Sequence, residues 1–186
     1  TLHWMVTDKT GKAIVIEKTK EGFKVYENKV GVMTNAPSFD WHITNLRQYM
    51  NATPVQPTSA NWSDLELTPL GSATGGIGLP GDFSSPSRFV RVAFLRAQIL
   101  MEDIENDGII EFFHILNNVA MVKGSVITKD GKDEITQYSS CMNLEKGLYY
   151  YKSYNNNQIN MLDMHKEDLD GSEMKIFPYN DVQVVN

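Results

Sequence analysis

The sequence contains a single cysteine, Cys141, and is poor in basic residues. One cysteine cannot form a disulfide within the chain, which is compatible with a reducing compartment, and we predict a cytoplasmic protein. The 17 lysines and arginines are outnumbered by 23 aspartates and glutamates and form no long run. We therefore predict neither a nucleic acid nor a membrane as a partner, because binding to either requires basic patches.

The chain also lacks long apolar runs, internal repeats and regularly spaced metal ligands. No apolar run approaches the roughly 20 residues that cross a bilayer, and the first residues show no signal-peptide pattern. The four histidines are scattered, at positions 3, 42, 114 and 165, so we predict no metal site and no cofactor. With 186 residues, 41% of them hydrophobic, the chain can bury a sizeable core, and we predict one domain spanning residues 1–186.

The order of the predicted elements indicates an α+β fold. Short strand-like runs come first, at residues 2–8, 13–19, 23–27 and 30–34, and a second set follows at 126–128, 134–142, 147–154 and 158–164. The segments predicted as helices lie between the two sets, at residues 37–50, from about residue 85 onward, and at 109–121. Strands, then helices, then more strands predict antiparallel sheets with helices on one face.

Apolar spacing predicts which side of each helix is buried. The first helix has Phe39, Ile43 and Leu46 at helical spacing. In the second helix Phe89, Val92, Ala93 and Leu100 follow the same spacing, with Ser85 or Ser87 as its N-cap. The third helix shows the clearest pattern, at Ile109, Phe112, Phe113, Leu116 and Ala120.

The segment before the second helix is rich in glycine and contains an oddly placed arginine. Glycines at 75, 76, 78 and 81, with prolines at 80 and 86, predict an ordered loop of one shape. Arg88 falls in the first turn of the helix that follows. A cation there forgoes the helix-dipole benefit of about 0.3–1 kcal/mol, so another interaction has to favour the charge. Taken alone, Arg88 also fits a surface arginine, and Asn35 fits an ordinary turn residue.

Three long blocks of sequence resemble the choloylglycine hydrolase family of N-terminal-nucleophile amidases. They read GVMTNAPSFDWHITNLRQY at 31–49, TGGIGLPGDFSSPSRFVRVAFL at 74–95 and VAMVKGSVITKDGKDEITQYSSC at 119–141. The resemblance implies that the α+β fold is part of a four-layer αββα sandwich. It also implies that the chain is the C-terminal part of such an enzyme, because TLHWMVTD at its start resembles a strand from the middle of the family's sequence.

The resemblance implies roles for two residues. Asn35 matches the family's active-site asparagine, whose amide can donate to an oxyanion, and Arg88 matches the active-site arginine beside the nucleophile. The family's nucleophile is a cysteine at the mature N-terminus, which attacks a linear amide and forms a thioester. That region is missing from this chain, so we expect the chain alone to be inactive.

The substrate class stays open at this level. The amino-acid sequence of the blocks at 31–49 and 74–95 favours a penicillin V acylase. A bile salt hydrolase is the alternative, and hydrolysis of N-acyl lactones is a third possibility. A truncated, non-catalytic relative is a rival from another class. The resemblance also implies a homotetramer, formed through the long excursion at 51–86 and in particular through residues 51–80, because ordered loops of this length are often interfacial.

Four other readings carry less weight. By residue type, Cys141 and Thr1 are substitutes for the missing nucleophile. Cys141, however, lies mid-strand without a neighbouring histidine and fits a buried small hydrophobe, and Thr1 lies at a position that the family uses for a strand. The glycine motif at 76–81 contains Pro80 and follows no strand, which argues against a nucleotide site. The acidic run Asp103, Glu105 and Asp107 resembles a calcium loop but has His114 where the loop needs a glutamate.

Overall fold

The computed structural model describes residues 2–101 and 106–185. These form two compact units. The first comprises residues 2–6 and 13–100, and the second comprises 7–12, 101 and 106–185. The strands and helices are, in order, β1 (His3–Thr7), β2 (Ala13–Thr19), β3 (Gly22–Glu27), α1 (Phe39–Asn45), β4 (Ala60–Trp62), β5 (Leu65–Leu67), α2 (Ser85–Gln98), α3 (Asn106–Asn117), β6 (Tyr138–Asn143), β7 (Leu148–Ser153) and β8 (Asn160–Asp163), with 3₁₀ turns at Leu46–Tyr49 and Met164–Lys166.

The first unit is a three-stranded sheet that carries two helices. The strand order is β1-β2-β3, and β2 pairs antiparallel with β3 in a register that places Val15 opposite Tyr26. Buried side chains from the sheet, the loop after it, α1 and α2 meet in one core cluster: Val15, Val32, Phe39, Phe89 and Ala93. Alternation along β2 turns Val15 and Glu17 toward the helices, and both are almost fully buried.

The predicted strand at 30–34 is wrong. This segment is an irregular loop that begins with a turn at Gly31, whose φ is +65°, an angle that strands do not use. The Asn28 side chain holds the turn, because its Oδ1 accepts from the Gly31 amide at 2.8 Å and its Nδ2 donates to the Val32 carbonyl at 3.1 Å. Asn35 is therefore delivered by a braced loop and not by a strand end.

Two helix predictions need smaller corrections. The N-cap of α2 is Ser84, not Ser85 or Ser87, and its side chain accepts from the Ser87 amide. The buried side of α1 carries Phe39 and His42, whereas Ile43 is exposed. Leu100 lies beyond the end of α2 and is also exposed.

The second unit is another antiparallel sheet, of order β6-β7-β8, with α3 in contact with β6. Phe113 of α3 is buried, and the Lys152 ammonium lies 5.7 Å from the centre of its ring. The predicted strand at 126–128 is reduced to an isolated bridge between Ile127 and Asp133. Each unit thus combines helices with antiparallel strands, which confirms the α+β class, while a single domain over residues 1–186 stays a prediction.

Candidate active site

The first unit brings Asn35 and Arg88 into direct contact, although 53 positions separate them. The Arg88 Nη2 donates to the Asn35 Oδ1 at 2.6 Å. A guanidinium can only donate, so the amide oxygen of Asn35 has to face Arg88 and the amide nitrogen has to point away. Within residues 2–101 and 106–185, no protein group accepts from that nitrogen. The exposed Asn35 therefore offers two N–H groups to whatever lies beside it.

Arg88 is itself fixed at the start of α2. Its Nε donates to the Phe83 carbonyl at 3.0 Å, while Nη2 reaches Asn35. Burial, followed by the nearby charge of Arg91, lowers the pKa of Arg88, but a guanidinium remains protonated at neutral pH. The carbonyl of Phe83 and the amide of Asn35 are thus the interactions that favour a cation in the first turn of this helix.

The loop before Arg88 is held by Arg91 and Asp82. Arg91 Nη1 donates to the carbonyls of Pro80 and Asp82, at 2.9 and 2.7 Å. The Asp82 carboxylate accepts from the Ser84 amide at 2.8 Å and from the Ser87 hydroxyl at 2.6 Å. Hydrogen bonds from Ser84 and Ser87 lower the pKa of Asp82 to about 2, so it is ionised at any ordinary pH. The glycine-rich segment consequently ends in a rigid turn.

The backbone of Asn35 is held by two residues whose role sequence reasoning missed. Its carbonyl lies 2.9 Å from the Ser85 hydroxyl and 3.0 Å from the His42 Nε2. The sequence indicates Ser85 only as a helix cap, and His42 only as one of four scattered histidines. The spacing of Phe39 and His42 on the buried side of α1 is the signal that could have found the histidine.

The alternative nucleophiles gain no support. Cys141 lies in the middle of β6, opposite Tyr150, and is half-buried. Burial raises the pKa of its thiol, whereas a reactive cysteine needs a lowered pKa. Thr1 and the acidic residues Asp103 and Glu105 lie outside the described residues, as does the side chain of Asp107. Elsewhere in the described part of the chain, no three histidine, cysteine or carboxylate side chains gather as a metal site would require.

An amide donor beside a permanent cation suits one kind of chemistry. Donors held in place before the reaction stabilise an oxyanion that develops when a carbonyl is attacked. The pair Asn35 and Arg88 is therefore suited to assist attack on a carbonyl, with the attacking group still to be supplied.

None of the helices in the described residues is long and apolar enough to cross a lipid bilayer.

Comparison with known proteins identifies the family. A family profile described as linear amide C–N hydrolases, choloylglycine hydrolase family, matches residues 1–177. The chain is 55% identical over 186 residues to a bile salt hydrolase/transferase of Clostridium perfringens, and 45% identical over 177 residues to one of Lactiplantibacillus plantarum. These matches cover 100% and 95% of this chain but 56% and 54% of the relatives, so the chain spans about half their length.

Solved structures agree on the fold. A cysteine-to-alanine mutant of a conjugated bile acid hydrolase from Clostridium perfringens matches with a TM-score of 0.92 and 55% identity, over 100% of this chain and 56% of that one. A penicillin V acylase from Agrobacterium tumefaciens matches with a TM-score of 0.67 over 89% of this chain and 46% of that one, and at 22% identity this likeness shows the fold alone. The fold is the predicted N-terminal-nucleophile hydrolase fold, of which this chain spans a part. The chain belongs to the choloylglycine hydrolase family of linear amide C–N hydrolases.

Proposed function

We propose that the protein is a bile salt hydrolase, which cleaves the amide bond of conjugated bile acids such as choloylglycine. The observation that carries this proposal is 55% identity over the whole chain to a relative named bile salt hydrolase/transferase. A second relative of the same name, at 45% identity, supports it. These relatives favour a bile salt hydrolase, which is the alternative in the sequence analysis, over the penicillin V acylase that the sequence blocks suggest.

We propose Asn35 and Arg88 as the catalytic residues of this chain. The Asn35 Nδ2 would donate to the oxyanion formed when the amide carbonyl is attacked, and Arg88 would add its positive charge to the same site. Removing one such donor typically costs about 10²–10³ in rate. The Arg88 to Asn35 hydrogen bond supports this division of work, because it leaves the amide N–H groups for the substrate.

We propose further that the nucleophile is a cysteine outside residues 1–186, as the family resemblance implies. Its thiolate would attack the carbonyl carbon, the amine would leave, and water would hydrolyse the thioester. The positive charge of Arg88 would favour the thiolate if the two groups lie close together. Cys141 takes no part, for the reasons of burial and raised pKa given above.

The excursion at 51–86 is proposed as an assembly surface. Within residues 51–80 several large apolar side chains are exposed, namely Val55, Trp62, Leu65, Leu67, Leu70 and Ile77. Exposed apolar side chains at this density commonly mark a protein contact. A homo-oligomer would cover these side chains, and the family resemblance implies a tetramer.

A cytoplasmic location stays a prediction.

The test uses the complete polypeptide made by the native source, which we call the native polypeptide. Its rate of amino-acid release from choloylglycine is compared with its rate on penicillin V, beside the 186-residue chain alone. We expect turnover of choloylglycine by the native polypeptide, weaker turnover of penicillin V, and none by the 186-residue chain. Faster cleavage of penicillin V would restore the other assignment, and no cleavage of either amide would favour a non-catalytic relative.

A further inference from the structure

The residues around the Asn35 backbone form a buried polar cluster that the proposed chemistry does not yet use. His42 is 2% exposed, and its ring stacks on Phe89 with a centroid distance of 4.6 Å and an angle of 8° between the planes. Its Nε2 faces three oxygens: the Asn35 carbonyl at 3.0 Å and the hydroxyls of Thr34 and Ser85 at 3.4 and 3.5 Å. These contacts tie the His42 ring to the loop that carries Asn35 and to the start of α2.

The hydrogen bonds determine which ring nitrogen carries the proton. A carbonyl oxygen only accepts, so the contact with Asn35 requires a proton on Nε2. The other nitrogen, Nδ1, is buried and has no hydrogen-bond partner among the residues that the structure describes. A proton on Nδ1 would be a buried donor without an acceptor, which is rare in proteins. The arrangement fits the tautomer with the proton on Nε2 alone.

This tautomer excludes a serine–histidine nucleophile at the site. A general base needs a free lone pair toward the hydroxyl that it deprotonates, and the His42 Nε2 instead presents a proton. The Ser85 hydroxyl donates at 2.9 Å either to the Asn35 carbonyl or to the Thr34 hydroxyl, and Thr34 in turn donates to the Ser85 carbonyl at 3.2 Å. The hydroxyls of Ser85 and Thr34 therefore connect the loop at Asn35 to the start of α2, and neither acts as a nucleophile.

Together these bonds act on one residue from two sides. The backbone carbonyl of Asn35 accepts from His42 and lies within hydrogen-bond distance of the Ser85 hydroxyl, while the side-chain oxygen accepts from Arg88. The side-chain nitrogen is left as the group without a protein partner in the described part of the chain. Fixing the carbonyl fixes the peptide plane, and with it the starting point of the side chain.

We infer that His42 and Ser85 are positioning residues that aim the Asn35 amide at the developing oxyanion. This inference rests on the proposed function, since it assigns the two residues to the same reaction. Misplacing a catalytic group by about 1 Å can cost about 10²-fold in rate. Loss of the clamp is therefore expected to lower kcat more than it changes KM, because an oxyanion donor acts in the transition state.

The experiment compares two substitutions of the histidine in the native polypeptide. His42→Phe keeps a flat ring against Phe89 but removes the donor, and kcat on choloylglycine is expected to fall by about 10–100-fold with KM nearly unchanged. His42→Gln can place an amide N–H near the position of Nε2 and is expected to recover most of the loss. Equal rates for the parent and a folded His42→Phe variant would overturn the inference, as would a Gln variant no better than Phe.

Asn35→Asp distinguishes failure of this inference from failure of the proposed function. The aspartate can still accept from Arg88 but has no N–H to donate. If Asn35→Asp leaves the rate unchanged, the proposed site is wrong, and the inference is overturned with it. If Asn35→Asp inactivates the enzyme while His42→Phe does not, only the positioning role is overturned. A merely structural role for His42 would still lower activity in the Asn35→Asp background, whereas positioning predicts little further loss.

Ser85→Ala keeps the test decisive if His42→Phe does not fold. It removes a single hydroxyl from a partly buried position, and a smaller fall in kcat, again without a change in KM, is expected. A parent-like kcat for Ser85→Ala, with His42→Phe unfolded, would overturn the inference.

Discussion

Two regions of the first unit are both rich in proline and polar residues and differ sharply in structure. The junction, formed by residues 34–42 and 82–88, joins two loops to the first turns of α1 and α2, whereas the arm, formed by residues 51–81, contains no helix in the structure. In the junction, Asn35, His42, Ser85, Arg88 and their neighbours share a dense hydrogen-bond network. The arm contains a hairpin of two three-residue strands, β4 and β5, and hydrogen bonds at its base, such as that from the Gly76 amide to the Thr53 carbonyl at 2.7 Å.

The comparison shows why the junction, rather than the arm, has the kind of geometry that a reaction requires. Hydrogen bonds that satisfy most of a polar cluster fix its geometry and leave a chosen donor free, which a reaction requires. The arm instead exposes large apolar side chains, Leu70 and Trp62 among them. We therefore expect substitutions in the junction to change turnover, and substitutions in the arm to change folding at its base and assembly at its surface.

The largest effect is expected at Arg88. Arg88→Ala in the native polypeptide removes the charge and the contact with Asn35, and kcat on choloylglycine should fall by at least about 10²–10³-fold. Arg88→Lys should recover little, because a lysine lacks the planar fork that reaches the Phe83 carbonyl and Asn35 together. Steady-state kinetics measure this, with the exposed Arg47→Ala as control. Equal losses for Arg47→Ala and Arg88→Ala would remove the distinction between the junction and the rest of the surface.

Part of this contrast was predictable from the sequence, and part was not. The α+β class, the helix after residue 84 and the position of Arg88 follow from spacing and turn residues. The roles of Asn35 and Arg88 come from the resemblance to a family, since local sequence alone favours an ordinary turn residue at 35 and a surface arginine at 88. Their contact depends on how a loop and a helix 53 positions apart pack, and one sequence carries no signal for that.

The errors have a similar cause. Residues 30–34 contain Val30 and Val32, which favour a strand, but Asn28 and Gly31 form a turn that overrides that preference. His42 was undervalued because buried polar residues are identified by their partners, and its partners lie in the loop before α1 and at the start of α2. The sequence blocks favour a penicillin V acylase, whereas the relatives at 55% and 45% identity are named bile salt hydrolases, because short motifs common to a fold carry little information about substrate.

A smaller effect, on stability, is expected at the base of the arm. A Cβ atom at Gly75 would overlap the Pro54 carbonyl, which is backbone and cannot easily move. Gly75→Ala should therefore destabilise the native polypeptide by about 1–3 kcal/mol, measured by urea denaturation. Gly81→Ala is the matched control, because its Cβ would meet nothing within 4 Å, and its effect should stay within about 0.5 kcal/mol. Equal destabilisation by both would mean that the base of the arm is not fixed.

Asp82 is expected to contribute a pH-dependent stability to the junction. Its pKa is lowered from a usual 3.8 to about 2, so the carboxylate contributes stability that is fully present above about pH 4 and is lost as the pH falls toward 2. The difference in melting temperature between the parent and Asp82→Asn should be constant from pH 7 to 5 and should shrink below pH 4. If the difference in melting temperature grows as the pH falls, its pH dependence is opposite to that expected for a lowered pKa. That result would contradict the hydrogen bonds from Ser84 and Ser87 to Asp82.

The smallest effect on folding is expected at the surface of the arm. Trp62→Ser and Leu70→Ser replace side chains that are exposed in the single chain, so the stability of the unassembled subunit should change by no more than about 0.5 kcal/mol. The mass of the assembly in light scattering should fall, because the proposed contact between subunits loses apolar area. Ile110→Ser, at an exposed apolar position of the second unit, is the control. An unchanged mass for both arm variants would place the assembly surface elsewhere.

The most direct test of the proposed site is the rate of choloylglycine hydrolysis by the native polypeptide and by its Asn35→Asp variant. The variant keeps an acceptor for Arg88 and loses the N–H groups that we propose stabilise the oxyanion. A fall in kcat of about 10²–10³-fold, at an unchanged melting temperature, is the predicted result. Equal rates for the two proteins would contradict the proposal that the amide of Asn35 acts in catalysis.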